Sequence, residues 1–172
     1  MASDRKIIIN CERTQYHSTT IYKLYADSKT RPKEDYPYAV RFICGQPVPG
    51  FQRELCWTED MNISFIESIW YGYDIGSYMV ATYNIDGSGG LAKYSDALID
   101  GQQRLMALDR YWNNEFKVLG YYWSDLTLAD TRGFNNKGFG HHEIMSINES
   151  VLKKTYNRLN FSGVQHSIKD KA

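Results

Sequence analysis

The residues with the clearest chemical potential lie in one short run, Asp100-Gly101-Gln102-Gln103-Arg104. An apolar stretch over residues 97–99 precedes this run, and apolar residues at helical spacing follow it. The pattern predicts a strand, a tight turn at Asp100 and Gly101, and then the first turn of a helix. A helix start offers free N–H groups and the positive end of the helix dipole, and Arg104 adds a guanidinium that fits phosphate. We therefore expect a phosphate-binding corner here.

Each of these side chains also has a purely structural interpretation. Arg104 can form an ion pair with a nearby acid instead of contacting phosphate. Asp100 can hold Mg²⁺ or act as a base, but it can equally close its turn by bonding its own backbone. Gln103 can position a water or bond a neighbouring backbone group. At the level of sequence both interpretations of each residue stay open.

The segments around the corner predict a small α+β domain. Apolar runs indicate strands, which lie at residues 40–44, 77–84, 94–100 and 116–123. Helices begin after the N-cap candidate Thr58, after Gly101, and after the capping-box spacing of Ser146 and Glu149. The first of these helices has an apolar stripe that includes Ile66 and Ile69 and ends at Gly72, and the last has Tyr156 on an apolar face. Two prolines and two glycines make residues 45–50 an irregular segment, and glycines and asparagines favour a long loop over residues 133–140.

With 172 residues, the chain has room for one domain. We divide it into an N-terminal extension of strand and loop over residues 1–37, a core over residues 38–123, and a loop with a C-terminal helix over residues 124–172. The third segment is expected to belong to the same compact unit as the core. Within the extension, residues 27–37 are charged, contain two prolines and predict a loop.

Charge and cysteine content narrow the classes of partner and cofactor. The 20 basic and 20 acidic residues cancel, which argues against nucleic-acid binding through bulk charge but leaves a local basic groove open. Cys11, Cys44 and Cys56 are odd in number and irregular in spacing, so neither a disulfide framework nor a zinc site is expected. We expect no haem or flavin. The sequence has no apolar run suited to a signal peptide or membrane span, and it predicts a cytoplasmic protein without a membrane partner.

Three weaker candidates lie outside the corner. His141, His142 and Glu143 are adjacent on an expected flexible loop, which makes a poor chelate, and the His-Glu-x-x-His spacing is absent. Trp57 and Trp70 could stack on a base, although tryptophans at such positions more commonly pack on a core. His166 could reach the phosphate corner, although a surface position is more common for such a residue.

The order of these motifs resembles the ParB/sulfiredoxin-like superfamily. The matching pieces are Pro49-Gly50-Phe51-Gln52-Arg53, Cys56-Trp57, Ile66-Glu67-Ser68-Ile69 and the Asp-Gly-Gln-Gln-Arg run. The chain is most similar to the branch that carries this last motif. That branch includes the N-terminal domain of GmrSD-type restriction enzymes and the phosphorothioate-sensing SspE proteins. Residues 156–163 resemble a later signature of the branch, and the resemblance covers most of residues 40–166.

The resemblance implies a fold, a site and a set of residue roles. The fold would be a small mixed sheet packed on helices, with a helical C-terminal segment. Asp100, Gln103 and Arg104 would be catalytic, and Mg²⁺ would accompany a nucleoside triphosphate, with Asp100 as its candidate ligand. The nucleotide-binding residues would be Gln52, Arg53, Gly101, Gln102, Arg104, Asn160 and Gly163. Sulfiredoxin has its catalytic Cys where this chain has Gln102, so sulfiredoxin chemistry is excluded.

The resemblance also implies a function. We expect a nucleotide-binding domain that hydrolyses a nucleoside triphosphate and is linked to DNA metabolism, restriction or anti-restriction. Two alternatives stay open: a DNA-binding or DNA-nicking nuclease, and a non-enzymatic phage protein that binds a host defence complex. The expected partners are a nucleotide and, in the alternatives, DNA, a separate nuclease or a host defence protein.

Overall fold

The computed structural model describes residues 12–161, and within them the chain forms the mixed α+β fold that the sequence predicts. The helices are α1 (Ile21–Thr30), α2 (Glu59–Tyr71), α3 (Gln102–Trp112), α4 (Leu128–Asn135) and α5 (Glu149–Phe161), with a 3-10 turn at Trp123–Asp125. The strands are β1 (Thr14–His17), β2 (Ala39–Ile43), β3 (Gln46–Pro49), β4 (Tyr78–Ala81), β5 (Leu98–Asp100) and β6 (His141–Ile144).

Four of the strands form one mixed sheet in the order β1-β6-β4-β5, and β2 and β3 form a separate antiparallel hairpin. Within the sheet, β6 runs parallel to β4, while the outer strands β1 and β5 run antiparallel to their neighbours. Strand β5 lies at one edge of the sheet and leads directly into α3. Its last residue, Asp100, therefore lies at the sheet edge, close to the start of the helix.

The sheet buries both of its faces. Successive strand residues point to opposite sides, so Tyr78 and Val80 of β4 face one core cluster while Ala81 faces the other. The first cluster includes Leu105 of α3, and the second includes Leu152 of α5; both leucines are fully buried. Helices α3 and α5 therefore lie on opposite faces, and the edge strand β5 runs between them.

Helix α2 begins and ends where the sequence predicts. The Thr58 hydroxyl caps it by accepting a hydrogen bond from the Met61 N–H at 3.3 Å, and Gly72 ends it. Ile66 and Ile69, from the predicted apolar stripe, are buried in the larger core cluster. The cap and the stripe together explain why this prediction is confirmed.

The prediction of an irregular segment over residues 45–50 is wrong, because Gln46–Pro49 forms strand β3. Cys44 and Gly45 both have positive φ, at 50° and 73°, which suits the two-residue turn of a tight hairpin. Pro47 pairs with Phe42 one step beyond the turn-flanking pair, where an antiparallel ladder makes no backbone hydrogen bond. The missing proline N–H therefore costs the hairpin nothing.

Two further predictions of local structure are wrong. Residues 116–123 form a turn with one isolated bridge between Val118 and Tyr121 instead of a strand. Residues 133–140 are not a long loop, because α4 extends to Asn135 and β6 begins at His141. A capping box between Thr127 and Asp130 starts α4. Strand β6 is central in the sheet, but its polar composition gives no strand pattern in the sequence.

The predicted N-terminal extension contributes to the same core as the rest of the chain. Strand β1 pairs with β6, and Ile21 and Leu24 of α1 are fully buried. Because α1 continues to Thr30, the loop expected over residues 27–37 begins only at Arg31. Among residues 12–161, no helix is both long and apolar enough to cross a membrane.

Candidate functional site

A cleft of about 280 Å³ opens where β5 meets the first turn of α3. Residues 99–104 form one wall, the loop over residues 52–57 forms the opposite wall, and α5 closes one side. The lining residues are Gln52, Arg53, Trp57, Ile99, Asp100, Gly101, Gln102, Gln103, Arg104, Tyr156, Leu159 and Asn160. The predicted site residues thus converge on one cleft, except Gly163, which lies outside the described residues.

The turn into α3 requires glycine at position 101. Gly101 has φ 95°, and a Cβ atom there would lie 2.6 Å from the Cβ of Tyr78. No side chain in the described part of the chain caps the helix, whose first backbone bond runs from the Leu105 N–H to the Gly101 carbonyl. The preceding N–H groups of the first turn are therefore available at the wall of the cleft.

Asp100 and Arg104 form an ion pair at the mouth of the cleft. The Arg104 Nη2 atom donates to Asp100 Oδ2 at 2.8 Å, and both side chains are about one-third exposed, at 27% and 32%. The Arg104 Nε atom is buried and has no hydrogen-bond partner among residues 12–161. The structural and functional interpretations of Arg104 are therefore compatible, because the ion pair occupies only part of the guanidinium.

The two glutamines of the motif bond the opposite loop. The Gln102 amide donates to the Arg53 carbonyl at 3.1 Å, and its oxygen accepts from Arg41 Nη2 at 2.8 Å. The Gln103 oxygen accepts from the N–H groups of Cys56 and Trp57, each at 3.2 Å. Both glutamines are at least nine-tenths buried. The contacts of Gln103 agree with its structural interpretation, in which the side chain bonds neighbouring backbone groups. A role of Gln103 in positioning water stays a prediction.

Gln52 and Arg53, at the start of the loop, form hydrogen bonds with β5 and α5. The Gln52 amide nitrogen donates to the Leu98 carbonyl, while its oxygen is buried without a hydrogen-bond partner in the described range 12–161. The Arg53 N–H donates to the Tyr156 hydroxyl at 3.0 Å. The Asn160 side chain donates to the Tyr156 carbonyl at 2.9 Å. With its backbone fixed in this way, Arg53 leaves its side chain exposed at the cleft.

The charges that line the cleft favour the binding of anions. Arg53 and Arg104 supply two cations against the single carboxylate of Asp100, and the start of α3 adds the positive end of its dipole. Among the described residues, no group of three or more His, Cys, Asp or Glu side chains is arranged to hold a metal ion. A Mg²⁺ ion that used Asp100 would therefore take its other ligands from phosphate and water, as this ion commonly does.

Two contributors to the site, Arg41 and Tyr156, were not predicted. Arg41 lies on β2, about 60 residues before Gln102, and its sequence neighbourhood carries no sign of the contact. Tyr156 was expected on an apolar helix face, and it is indeed buried, but its hydroxyl reaches the Arg53 backbone. The Tyr-Asn-Arg-Leu-Asn-Phe-Ser-Gly signature was the only available signal for this residue.

The weaker candidates lie apart from the cleft or belong to the core. His141 and Glu143 are on β6, where burial lowers the pKa of His141 to about 4, and Glu143 lies 3.1 Å from His17. The prediction of a flexible loop for these residues is wrong, because they lie on a strand. Trp70 packs on Phe134, with ring centroids 4.9 Å apart, whereas Trp57 lines the cleft. His166 lies outside the described residues.

Comparison with known proteins identifies the family. The family model described as the GmrSD restriction endonuclease, N-terminal domain, matches residues 43–171, which is well over half of the chain and includes every predicted site residue. No curated protein and no solved structure matched. The match associates the chain with restriction and DNA modification. The chain belongs to the GmrSD restriction endonuclease N-terminal domain family.

Proposed function

We propose that the cleft binds the phosphate groups of a nucleoside triphosphate and supports its hydrolysis in a process linked to restriction. The observation that carries this proposal is a convergence of two distant motifs. The Gln52-Arg53 pair and the Asp100–Arg104 run are almost 50 residues apart, yet they form opposite walls of one cleft. Two arginines and an uncapped helix start are a combination suited to phosphate.

The dimensions of the cleft suit the phosphates better than a whole nucleotide. Its volume of about 280 Å³ is just below the roughly 300–1,000 Å³ of pockets that enclose drug-sized ligands. In the proposed complex, the triphosphate lies along the first turn of α3 between Arg53 and Arg104. The base then lies toward the rim, where Trp57 offers an aromatic face.

Asp100 and Arg104 have separate roles in the proposed hydrolysis. Water attacks the terminal phosphorus, the bond to the bridging oxygen breaks, and the nucleoside diphosphate leaves with that oxygen. The proton of the attacking water passes to the released phosphate, and Arg104 stabilises the charge that develops on the phosphate oxygens. Asp100 accepts a hydrogen bond from Arg104 through Oδ2, and its carboxylate would help to hold Mg²⁺. When bound, Mg²⁺ supplies charge neutralisation at the phosphates.

The family connects this chemistry to DNA. A restriction endonuclease domain that binds a nucleotide can couple binding or hydrolysis to recognition or cleavage of DNA, which is the form of the proposal that the family name supports. A DNA-nicking nuclease is the second candidate, and it is favoured only by the same family name. The two candidates differ in whether the cleft responds to a free nucleotide.

The test is a titration of the whole chain with each of the four nucleoside triphosphates and Mg²⁺. Binding is measured as a thermal shift, and hydrolysis is measured as phosphate release. We expect one or more nucleotides to raise Tm, and Arg104→Ala to abolish the rise. Arg132→Ala, which removes an exposed arginine from α4 away from the cleft, is the matched control and is expected to leave the rise unchanged. No shift with any nucleotide, together with a salt-sensitive gel shift of duplex DNA, would favour the nuclease instead.

A further inference from the structure

Arg41 joins the two walls of the cleft from outside it. Its Nη2 atom donates to the Gln102 side-chain oxygen at 2.8 Å and to the Arg53 carbonyl at 3.0 Å. The Gln102 amide nitrogen donates to the same carbonyl at 3.1 Å. These three hydrogen bonds close a ring that contains one guanidinium, one side-chain amide and one backbone carbonyl, and the ring spans β2, the loop and α3.

The local structure of β2 directs Arg41 toward this ring. The register between β2 and β3 shifts between Ala39 and Arg41, as in a β-bulge, and bulges commonly redirect a side chain. Arg41 is half-buried: its hydrogen bond to Gln102 is partly buried, and its hydrogen bond to the Arg53 carbonyl is exposed to solvent. Both bonds are charge-assisted, which makes them stronger than neutral hydrogen bonds of the same geometry. Arg41 also lies just before the residues that the family model matches, which begin at residue 43.

The ring of hydrogen bonds restrains the backbone of Arg53. Its N–H is held by Tyr156 and its carbonyl by Arg41 and Gln102, so both sides of its backbone are fixed from three different elements. A fixed backbone limits the positions that the exposed Arg53 side chain can reach, which lowers the entropy lost when that side chain binds an anion.

We propose that Arg41 is a positioning residue that sets the affinity of the cleft for polyphosphate by fixing the Arg53 backbone and the Gln102 side chain. This inference rests on the proposed function, since it deepens the description of the same site. Arg41 does not line the cleft. Its effect is therefore exerted through Arg53 and differs from that of a ligand-contacting arginine.

The experiment compares Arg41→Met, which removes the donors but keeps much of the stem, with Arg41→Lys, which keeps the charge. Arg132→Met on α4 is the matched control. Hydrogen–deuterium exchange of residues 53–57 is measured without ligand. Binding of inorganic triphosphate and of inorganic phosphate is then measured by calorimetry. The exchange measurement needs no nucleotide, so it tests the ring of hydrogen bonds separately from the proposed function.

We expect exchange of the loop amides in Arg41→Met to rise about tenfold, while exchange within α2 stays unchanged. Triphosphate affinity is expected to fall about tenfold, and phosphate affinity by less, because only the longer anion contacts both arginines. Arg41→Lys should lie between Arg41→Met and wild type. If Arg41→Met does not fold, the same comparison is made between Arg41→Lys and wild type.

Four results would overturn the inference. Unchanged loop exchange would show that Arg41 does not fix the loop, whatever the binding data. Faster exchange with unchanged triphosphate affinity, or an equal loss for both anions, would show that the loop geometry does not set polyphosphate binding. If wild type binds no triphosphate, the proposed function fails, and the role of Arg41 in the site fails with it.

Discussion

The carboxylate of Asp100 and the guanidinium of Arg104 meet at 2.8 Å across the turn that joins β5 to α3. The two residues are four positions apart, with the acid at the end of the strand and the arginine in the first helical turn. In the proposed complex, an anion that enters the cleft meets an arginine whose charge Asp100 already partly neutralises. A cation bound to Asp100 would relieve that competition, and phosphate binding and cation binding would then favour each other.

Replacing the acid should separate these two effects. We expect Asp100→Asn to bind inorganic triphosphate about three- to tenfold more tightly than wild type without Mg²⁺, because Arg104 is no longer neutralised. With Mg²⁺, the same variant should lose both the gain from the ion and any phosphate release. Calorimetry at low ionic strength, with and without Mg²⁺, measures the effect. Glu115→Gln, which removes the acid that pairs with Arg110 near the other end of α3, is the control. Weaker Mg²⁺-free binding by Asp100→Asn would contradict the competition.

The turn at Gly101 offers a second test because another glycine provides a comparison. Gly101→Ala combines a positive φ of 95° with a Cβ placed 2.6 Å from Tyr78 Cβ, whereas Gly120 has a similar φ of 89° and no neighbouring atom within 4 Å of its Cβ position. We expect Gly120→Ala to lower the free energy of unfolding by about 1 kcal/mol through backbone strain alone. Gly101→Ala should cost about 2–4 kcal/mol, since steric overlap adds to the strain. Equal losses in denaturant unfolding would show that the turn relaxes away from Tyr78.

Much of the site could be predicted because its signals are local. A strand, a turn with Asp and Gly, and a helix start occupy adjacent residues, so their geometry follows from short-range rules. The contacts of Gln102 and Gln103 could not be predicted in the same way, since their partners on the loop lie 46–49 residues away. The same limit applies to Arg41, whose partner is chosen by the tertiary fold.

The errors in the fold also have local physical reasons. Proline-rich β3 forms a strand because Pro47 lies at a position where the hairpin ladder needs no backbone donor, and only the register reveals this. Strand β6 begins with two histidines and a glutamate, so it lacks the apolar alternation that marks a strand. His141 is accommodated by stacking, since its ring centroid lies 4.9 Å from that of His17 and 5.1 Å from that of Tyr78.

The contacts of Gln103 lead to a prediction about stability. Gln103→Leu leaves the N–H groups of Cys56 and Trp57 without their acceptor, and we expect it to lower the free energy of unfolding by about 1–3 kcal/mol. Gln103→Glu keeps an acceptor for both groups and should recover most of that loss. Denaturant unfolding gives the energies, and the rate of Cys56 alkylation reports on the loop. If Gln103→Leu lost hydrolysis with unchanged stability and alkylation, the predicted water-positioning role would explain Gln103 better.

Burial of His141 predicts a pH dependence of stability. Its pKa in the folded protein is lowered from 6.5 to about 4, mainly because burial disfavours the charged imidazolium, and the nearby His17 adds to the effect. Between these two values the unfolded chain binds a proton that the folded chain does not, so stability rises with pH across this window. Each pKa unit corresponds to about 1.4 kcal/mol, so lowering the pH from 7 to 4 should cost about 3 kcal/mol at this residue. His141→Phe keeps an aromatic ring against Tyr78 and should flatten the dependence, as measured by urea unfolding at intervals of half a pH unit. Parallel curves for the variant and wild type would assign the pH dependence to other groups.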